Sequence, residues 1–117
     1  MQVMWFKRDL RAADNAALAA AAQCGPVLPL YVAEPEWWQG PDMSARQWAF
    51  AAESLTELRD ELARAGAPLV VRVGDVTHVL RELLERGYLT ALWSHEETGN
   101  DWTYARDRRV AAWCRAN

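Results

Sequence analysis

Three short stretches of this chain concentrate side chains that can do chemistry. The first is Lys7-Arg8-Asp9-Leu10-Arg11. The second runs from Glu34 through Trp37 and Trp38 to Ser44 and Arg46. The third is His95-Glu96-Glu97 with Asn100 and Asp101. Guanidinium and carboxylate groups supply charge and hydrogen bonds, and indoles supply flat apolar walls. Together they suit non-covalent capture of a flat molecule with a polar edge. Bond-making chemistry has less support. Glu96 and Glu97 are adjacent carboxylates after a histidine, but neighbours on a loop do not define an acid/base pair. The chain has no nucleophile elbow, P-loop or G-x-G-x-x-G. Cys24 and Cys114 lack metal-ligand spacing and read as reduced, buried thiols, and His78 is a lone histidine. No catalytic or metal-binding residue is therefore expected. The competing accounts are a solvated charged turn for the first stretch and tryptophans that merely cover the core's edge for the second.

What positions these stretches is an alternation of strands and helices. Val3–Phe6 reads as a buried strand. Asp14 can cap an alanine-rich helix over Ala12–Gln23, whose small apolar face is Leu18, Ala21 and Ala22. Val27–Val32 reads as a second buried strand despite Pro29. Ala33–Met43 is expected to be a loop, because two prolines and a glycine forbid a regular helix through it. Ser44-Ala45-Arg46-Gln47 forms a capping box. The helix it opens carries the stripe Trp48, Ala51, Leu55, Leu58 and Leu62, stopped by Gly66 and Pro68. Leu69–Val73 is the third strand. Asp75 caps a third helix with Val76, Val79, Leu80, Leu83 and Leu84 on its buried face. Thr90–Ser94 is the fourth strand. Asn100 or Asp101 then caps a last helix over Trp102–Ala116, where Ala105, Val110 and Trp113 are available for burial. Arg106, Arg108 and Arg109 make one face of it basic.

Strands alternating with helices imply parallel pairing with right-handed crossovers. The expected fold class is α/β: a three-layer, doubly wound parallel sheet, flavodoxin/Rossmann-like, with four strands here and a fifth missing. All three polar stretches follow strands, which places them at the carboxyl edge of the sheet, where ligands of such folds bind. The 117 residues, 51% of them hydrophobic, fit one domain. A net charge of -3 argues against this piece alone being a strong DNA binder. No run is long enough to span a membrane, and no signal peptide is visible before the first strand, so the cytoplasm is the default location. Packing explains most of the seven tryptophans.

One motif is long enough to suggest a family. W-F-K-R-D-L-R-x-x-D-N-x-A-L, carried by Trp5–Asn15 with Ala17 and Leu18, resembles the opening signature of the DNA photolyase/cryptochrome family. Arg46-Gln47 at the start of the long helix is similar to the family too. So is G-N-x-W-T-Y-A-R-D-x-x-V over Gly99–Val110. The resemblance spans essentially the whole chain but only the family's amino-terminal α/β domain. Residues 1–117 thus read as that domain and as a piece of a longer protein.

The resemblance implies a helical domain after this one, holding FAD and the DNA lesion site. Electron transfer from photoexcited reduced flavin to a pyrimidine dimer would occur there. FAD and damaged DNA are then partners of the parent deoxyribodipyrimidine photo-lyase, and this piece alone is not catalytic. For this domain it implies an antenna chromophore, a folate, deazaflavin or flavin, that passes excitation energy to FAD. Arg8, Asp9 and Arg11 would shape its pocket or the docking to the helical domain. Trp37, Ser44 and Arg46, with Glu34 nearby, would contribute next, and His95, Glu97, Asn100 and Asp101 would form a third wall. Folate-type members use an Asn-Glu pair near the last loop; Asn100-Asp101 departs from it, while the first-loop arginines equally suit a flavin-like antenna. The rivals are the same domain of a signalling cryptochrome, a stand-alone nucleotide-binding α/β module, and a structural fragment that binds nothing until its partner domain docks. The module would need a phosphate loop after strand one, and Lys7–Arg11 contains no glycine.

Overall fold

The computed structural model describes residues 1–8, 10–39, 45–95 and 101–117. Among these residues nine elements follow one another: β1 (Gln2–Phe6), α1 (Ala16–Cys24), β2 (Val27–Ala33), α2 (Pro35–Trp38), α3 (Ala45–Arg64), β3 (Val70–Val73), α4 (Val76–Glu85), β4 (Ala91–Trp93) and α5 (Asp101–Ala116). The four strands form one sheet in the order β3-β2-β1-β4, and every pairing is parallel. That order is the first part of a dinucleotide-fold sheet, 3-2-1-4, rather than the flavodoxin order 2-1-3-4. The α/β reading holds, and the topology narrows it to the first of the two types.

Alternation along the strands builds two cores. Val3, Trp5, Leu30 and Val32 face α4 and α5, packing with Val76, Val79, Leu80, Leu83 and Val110. Met4, Phe6 and Tyr31 face the opposite way, packing with Leu58 and Leu62 of α3 and with half-buried Ala17 and Leu18 of α1. The period of two in a strand sends neighbouring side chains to opposite faces, so three layers result.

The helix ends follow local chemistry. At the carboxyl end of α3, Gly66 takes a left-handed φ of +84, Ala67 N–H donates to the Leu62 carbonyl at 2.9 Å, and Gly66 N–H donates to Ala63. Gly87 after α4 repeats the arrangement at φ +80, with Tyr88 N–H on the Leu83 carbonyl. Both are Schellman closures, where a Cβ would be strained. Asp75 caps α4, as its sequence position suggests, accepting from the Thr77 and His78 N–H groups.

Several expectations are corrected. Asn15, not Asp14, caps α1, accepting from Leu18 N–H at 2.9 Å; Asp14 instead takes a positive φ of 52 in the turn before it. Pro35–Trp38 is a short helix rather than loop, because proline at its start needs no N–H donor there. Trp48 heads the expected α3 stripe yet is 42% exposed, and Leu84 and Ala22 are exposed as well. On α5 the buried positions are Thr103, Arg106 and Val110; Ala105 and Trp113 are half-buried. Arg106 therefore belongs to no basic surface. Both cysteines are free, but they are exposed rather than buried. The capping role expected of Ser44 and of Asn100 lies outside the described residues.

Candidate functional site

The carboxyl edge of the sheet carries a cavity of about 690 Å3. It lies over β1 and β2 rather than between β1 and β4. Phe6, Lys7, Arg8 and Leu10 reach it from the end of β1, and Tyr31, Val32 and Glu34 from the end of β2. Trp37 and Trp38 of α2 wall it, and Thr103 and Arg106 come from α5. The amino-terminal half of α3 supplies Arg46, Gln47, Phe50, Ala51 and Ser54. Those positions share one helical face, since residues four apart stack along it.

A buried ionic network fixes one wall. Arg106, only 4% exposed, donates from Nη1 to Glu34 Oε1 at 2.7 Å and from Nε to Asp107 Oδ1 at 3.1 Å. Lys7 reaches the other oxygen of Asp107 at 3.2 Å. Both cations lie over the Trp5 ring, each 5.0 Å from its centroid. Buried charges need such partners, because desolvation is costly otherwise. The network ties the ends of β1 and β2 to α5.

Aromatic contacts hold α2 in place. Trp37 stacks on Trp102 of α5 at 5.6 Å, and Trp38 meets Trp48 of α3 edge-on at 4.8 Å. Among the described residues no hydrogen-bond partner meets the buried Trp38 and Trp102 indole N–H groups. These rings therefore contribute shape and quadrupole contacts rather than polar recognition. The short helix bridges α3 and α5 over the edge of the sheet.

Arg8, Glu34, Trp37 and Arg46 thus converge as the sequence suggests. Arg11, His95 and Asp101 do not line the cavity. His95 Nε2 contacts Asn15 Oδ1 at 2.7 Å, and Asn15 Nδ2 donates to the Arg11 carbonyl at 3.0 Å. His95 thereby braces the α1 cap at the β1/β4 mouth. Asp101 is exposed at the start of α5. Asp9, Ser44, Glu97 and Asn100 fall outside the described residues. Phe6, Tyr31, Phe50, Thr103 and Arg106 are lining residues that sequence reasoning missed. A signal existed for Arg106: it shares the helical repeat of Val110, four residues on, and so falls on the buried stripe.

The described lining residues offer aromatic faces, guanidinium groups and hydroxyls. Their one carboxylate, Glu34, is committed to Arg106. The class this defines is a doubly wound α/β domain with an aromatic binding cavity at its carboxyl edge. The DNA photolyase family model matches residues 2–117, and the chain belongs to that family. It is 40% identical over 101 residues to the deoxyribodipyrimidine photo-lyase of Agrobacterium fabrum, a match covering 83% of this chain and 20% of that one. It is 39% identical over 105 residues to the blue-light photoreceptor PHR2 of Arabidopsis thaliana, covering 85% of this chain and 24% of that one. Its fold superposes with a TM-score of 0.86 on the photolyase of the archaeon Sulfolobus tokodaii, at 29% identity, over 100% of this chain and 27% of that one. That crystal structure holds two FAD molecules and implies a novel light-harvesting cofactor. The chain spans only a minor part of the length of these relatives. Among the described residues no helix is long and apolar enough to cross a membrane, and no cluster of metal-ligating side chains occurs.

Proposed function

We propose that this chain is the antenna-chromophore domain of a light-driven, FAD-dependent deoxyribodipyrimidine photo-lyase. The observation that carries the reading is the aromatic, guanidinium-edged cavity of about 690 Å3 in a photolyase-family sheet. Its size suits a whole heterocyclic ligand, since such sites run from about 300 to 1,000 Å3. When bound, the chromophore supplies light absorption and passes excitation energy to FAD without bond-making. The chain's own residues hold it. Phe6, Tyr31 and Trp37 offer ring surface, Leu10 and Ala51 offer apolar contact, and Arg8 and Arg46 offer charge. The Glu34–Arg106 pair keeps these walls at fixed separation.

The chromophore is a deazaflavin, flavin or folate. The second FAD of the Sulfolobus tokodaii relative supports the flavin type. FAD, the helical domain that binds it and damaged DNA belong to the parent protein, with residues 1–117 as its amino-terminal domain. The cytoplasm is its expected compartment.

The test is an absorption spectrum of the full-length protein, native and after acid release, with the released cofactors identified by mass. A second chromophore beside FAD is expected. FAD alone, with no uptake of added deazaflavin, flavin or folate, overturns the reading. The likeness to a blue-light photoreceptor favours one second reading, the same domain of a signalling cryptochrome. Illuminated full-length protein mixed with dimer-bearing DNA separates the two, because only the photolyase removes the dimers.

A further inference from the structure

Among the described residues the proposed chromophore cavity has one cation that its neighbours leave unengaged, and what is inferred for it rests on the chromophore reading. Four cationic side chains line the cavity among the described residues: Lys7, Arg8, Arg46 and Arg106. Arg106 is committed to Glu34 at 2.7 Å and Lys7 to Asp107 at 3.2 Å, and Arg8 is engaged as well. Arg46 differs. It stands exposed in the first turn of α3, and among the described residues no hydrogen bond or ion pair engages it. No acidic residue shares that turn. One turn further along the same face is Phe50, 72% exposed although it lines the cavity. An apolar ring and an uncommitted guanidinium thus stand side by side on one wall.

A wall of this kind matches a ligand built the same way, with a flat ring system carrying an anionic group. The ring covers Phe50 and faces Trp37 and Tyr31 across the cavity. The anion meets the planar fork of Arg46, which suits phosphate and carboxylate alike. A neutral ligand of the same shape fills the cavity and leaves Arg46 to water. We propose that Arg46 sets the charge preference of the cavity, selecting aromatic ligands that bear a phosphate or carboxylate over uncharged counterparts.

The probes are riboflavin, FMN and carboxymethylflavin, which share a ring and differ in the charge of the side chain. Each is titrated into the full-length protein with its FAD in place, and quenching of tryptophan and flavin fluorescence is read. FMN is expected to bind about tenfold tighter than riboflavin at low salt, the size of one charge-assisted contact. The advantage should shrink at high salt, because Arg46 is exposed and screened. In Arg46→Gln, FMN should fall to the level of riboflavin while riboflavin binding stays unchanged, which also reports that the cavity is intact. Arg46→Lys should restore part of the advantage. Carboxymethylflavin matching FMN assigns a general anion site; matching riboflavin, it assigns phosphate. Equal binding of FMN and riboflavin by the native protein overturns the proposal and leaves the chromophore reading standing. So does an FMN advantage that survives Arg46→Gln. Failure of all three flavins to bind overturns the proposal, and the chromophore reading falls with it only if added deazaflavin and folate are refused as well.

Discussion

The carboxyl edge of this sheet has two mouths, and they are built differently. Between β1 and β4 the strand order reverses, which is where ligands of such sheets commonly sit. There, among the described residues, His95, Asn15 and the Arg11 carbonyl bond to one another and tie the end of β4 to the cap of α1. One position over, above β1 and β2, the chain does the reverse. Ion pairs run within one wall, the tryptophans seat α2, and a cavity is left between them and the amino-terminal half of α3. Polar side chains can close a mouth by bonding across it or leave it open by bonding within one wall. The residue types alone do not say which.

The largest expected effect tests the anchored wall. Glu34→Ala takes from the buried Arg106 guanidinium its partner at 2.7 Å, and breaking a buried pair costs about 3–5 kcal/mol. Urea unfolding should show that loss; a cost below about 1 kcal/mol would mean that Asp107 suffices and Glu34 is not an anchor.

Next comes the division of α3. Its 20 residues span about 30 Å, and its buried residues, Leu58 and Leu62, both lie in the carboxyl-terminal half. Leu58→Ala, in the half packed on the sheet, should cost about 2–5 kcal/mol. Phe50→Ala, in the half that walls the cavity, should stay within about 0.5 kcal/mol and instead weaken ligand uptake. Similar stability losses in both variants would erase the distinction between packed and open halves.

Local signals show why part of this was legible. The alternating strands, the Asp75 cap and the glycine stops depend on residues a few positions apart, and they are found where the sequence puts them. Arg8, Glu34, Trp37 and Arg46 could be gathered because each follows a strand and must lie at one edge. Arg106 was misread because its partner, Glu34, is 72 residues away. His95 was misread for the same reason, since Asn15 is 80 residues distant. Hydrophobic periodicity likewise marks Trp48 as buried; it cannot show that the ring packs on Trp38 of α2 and stays partly exposed. Strand order was equally out of reach, because both doubly wound orders satisfy the same alternation.

The smallest effects concern the two helix caps, and they tell the closed mouth from an ordinary charged one. Asn15→Ala and Asp75→Ala should each cost about 0.5–2 kcal/mol at neutral pH. Their acid behaviour should differ. Burial pushes the Asp75 carboxyl up, but hydrogen bonds from the Thr77 hydroxyl and from the Thr77 and His78 N–H groups outweigh it and hold it below the usual value. A carboxyl depressed in the folded state stabilises above its unfolded pKa, and that contribution disappears as pH falls through the folded value. The deficit of Asp75→Ala should therefore shrink below about pH 4, the ordinary carboxylate range. Asn15 caps through an amide oxygen, which does not titrate. The deficit of Asn15→Ala should thus persist across that range, with flavin uptake by the open cavity unaltered. Unfolding curves at neutral and acid pH measure both. A loss of chromophore uptake in Asn15→Ala would show that the two mouths are one coupled site and not two.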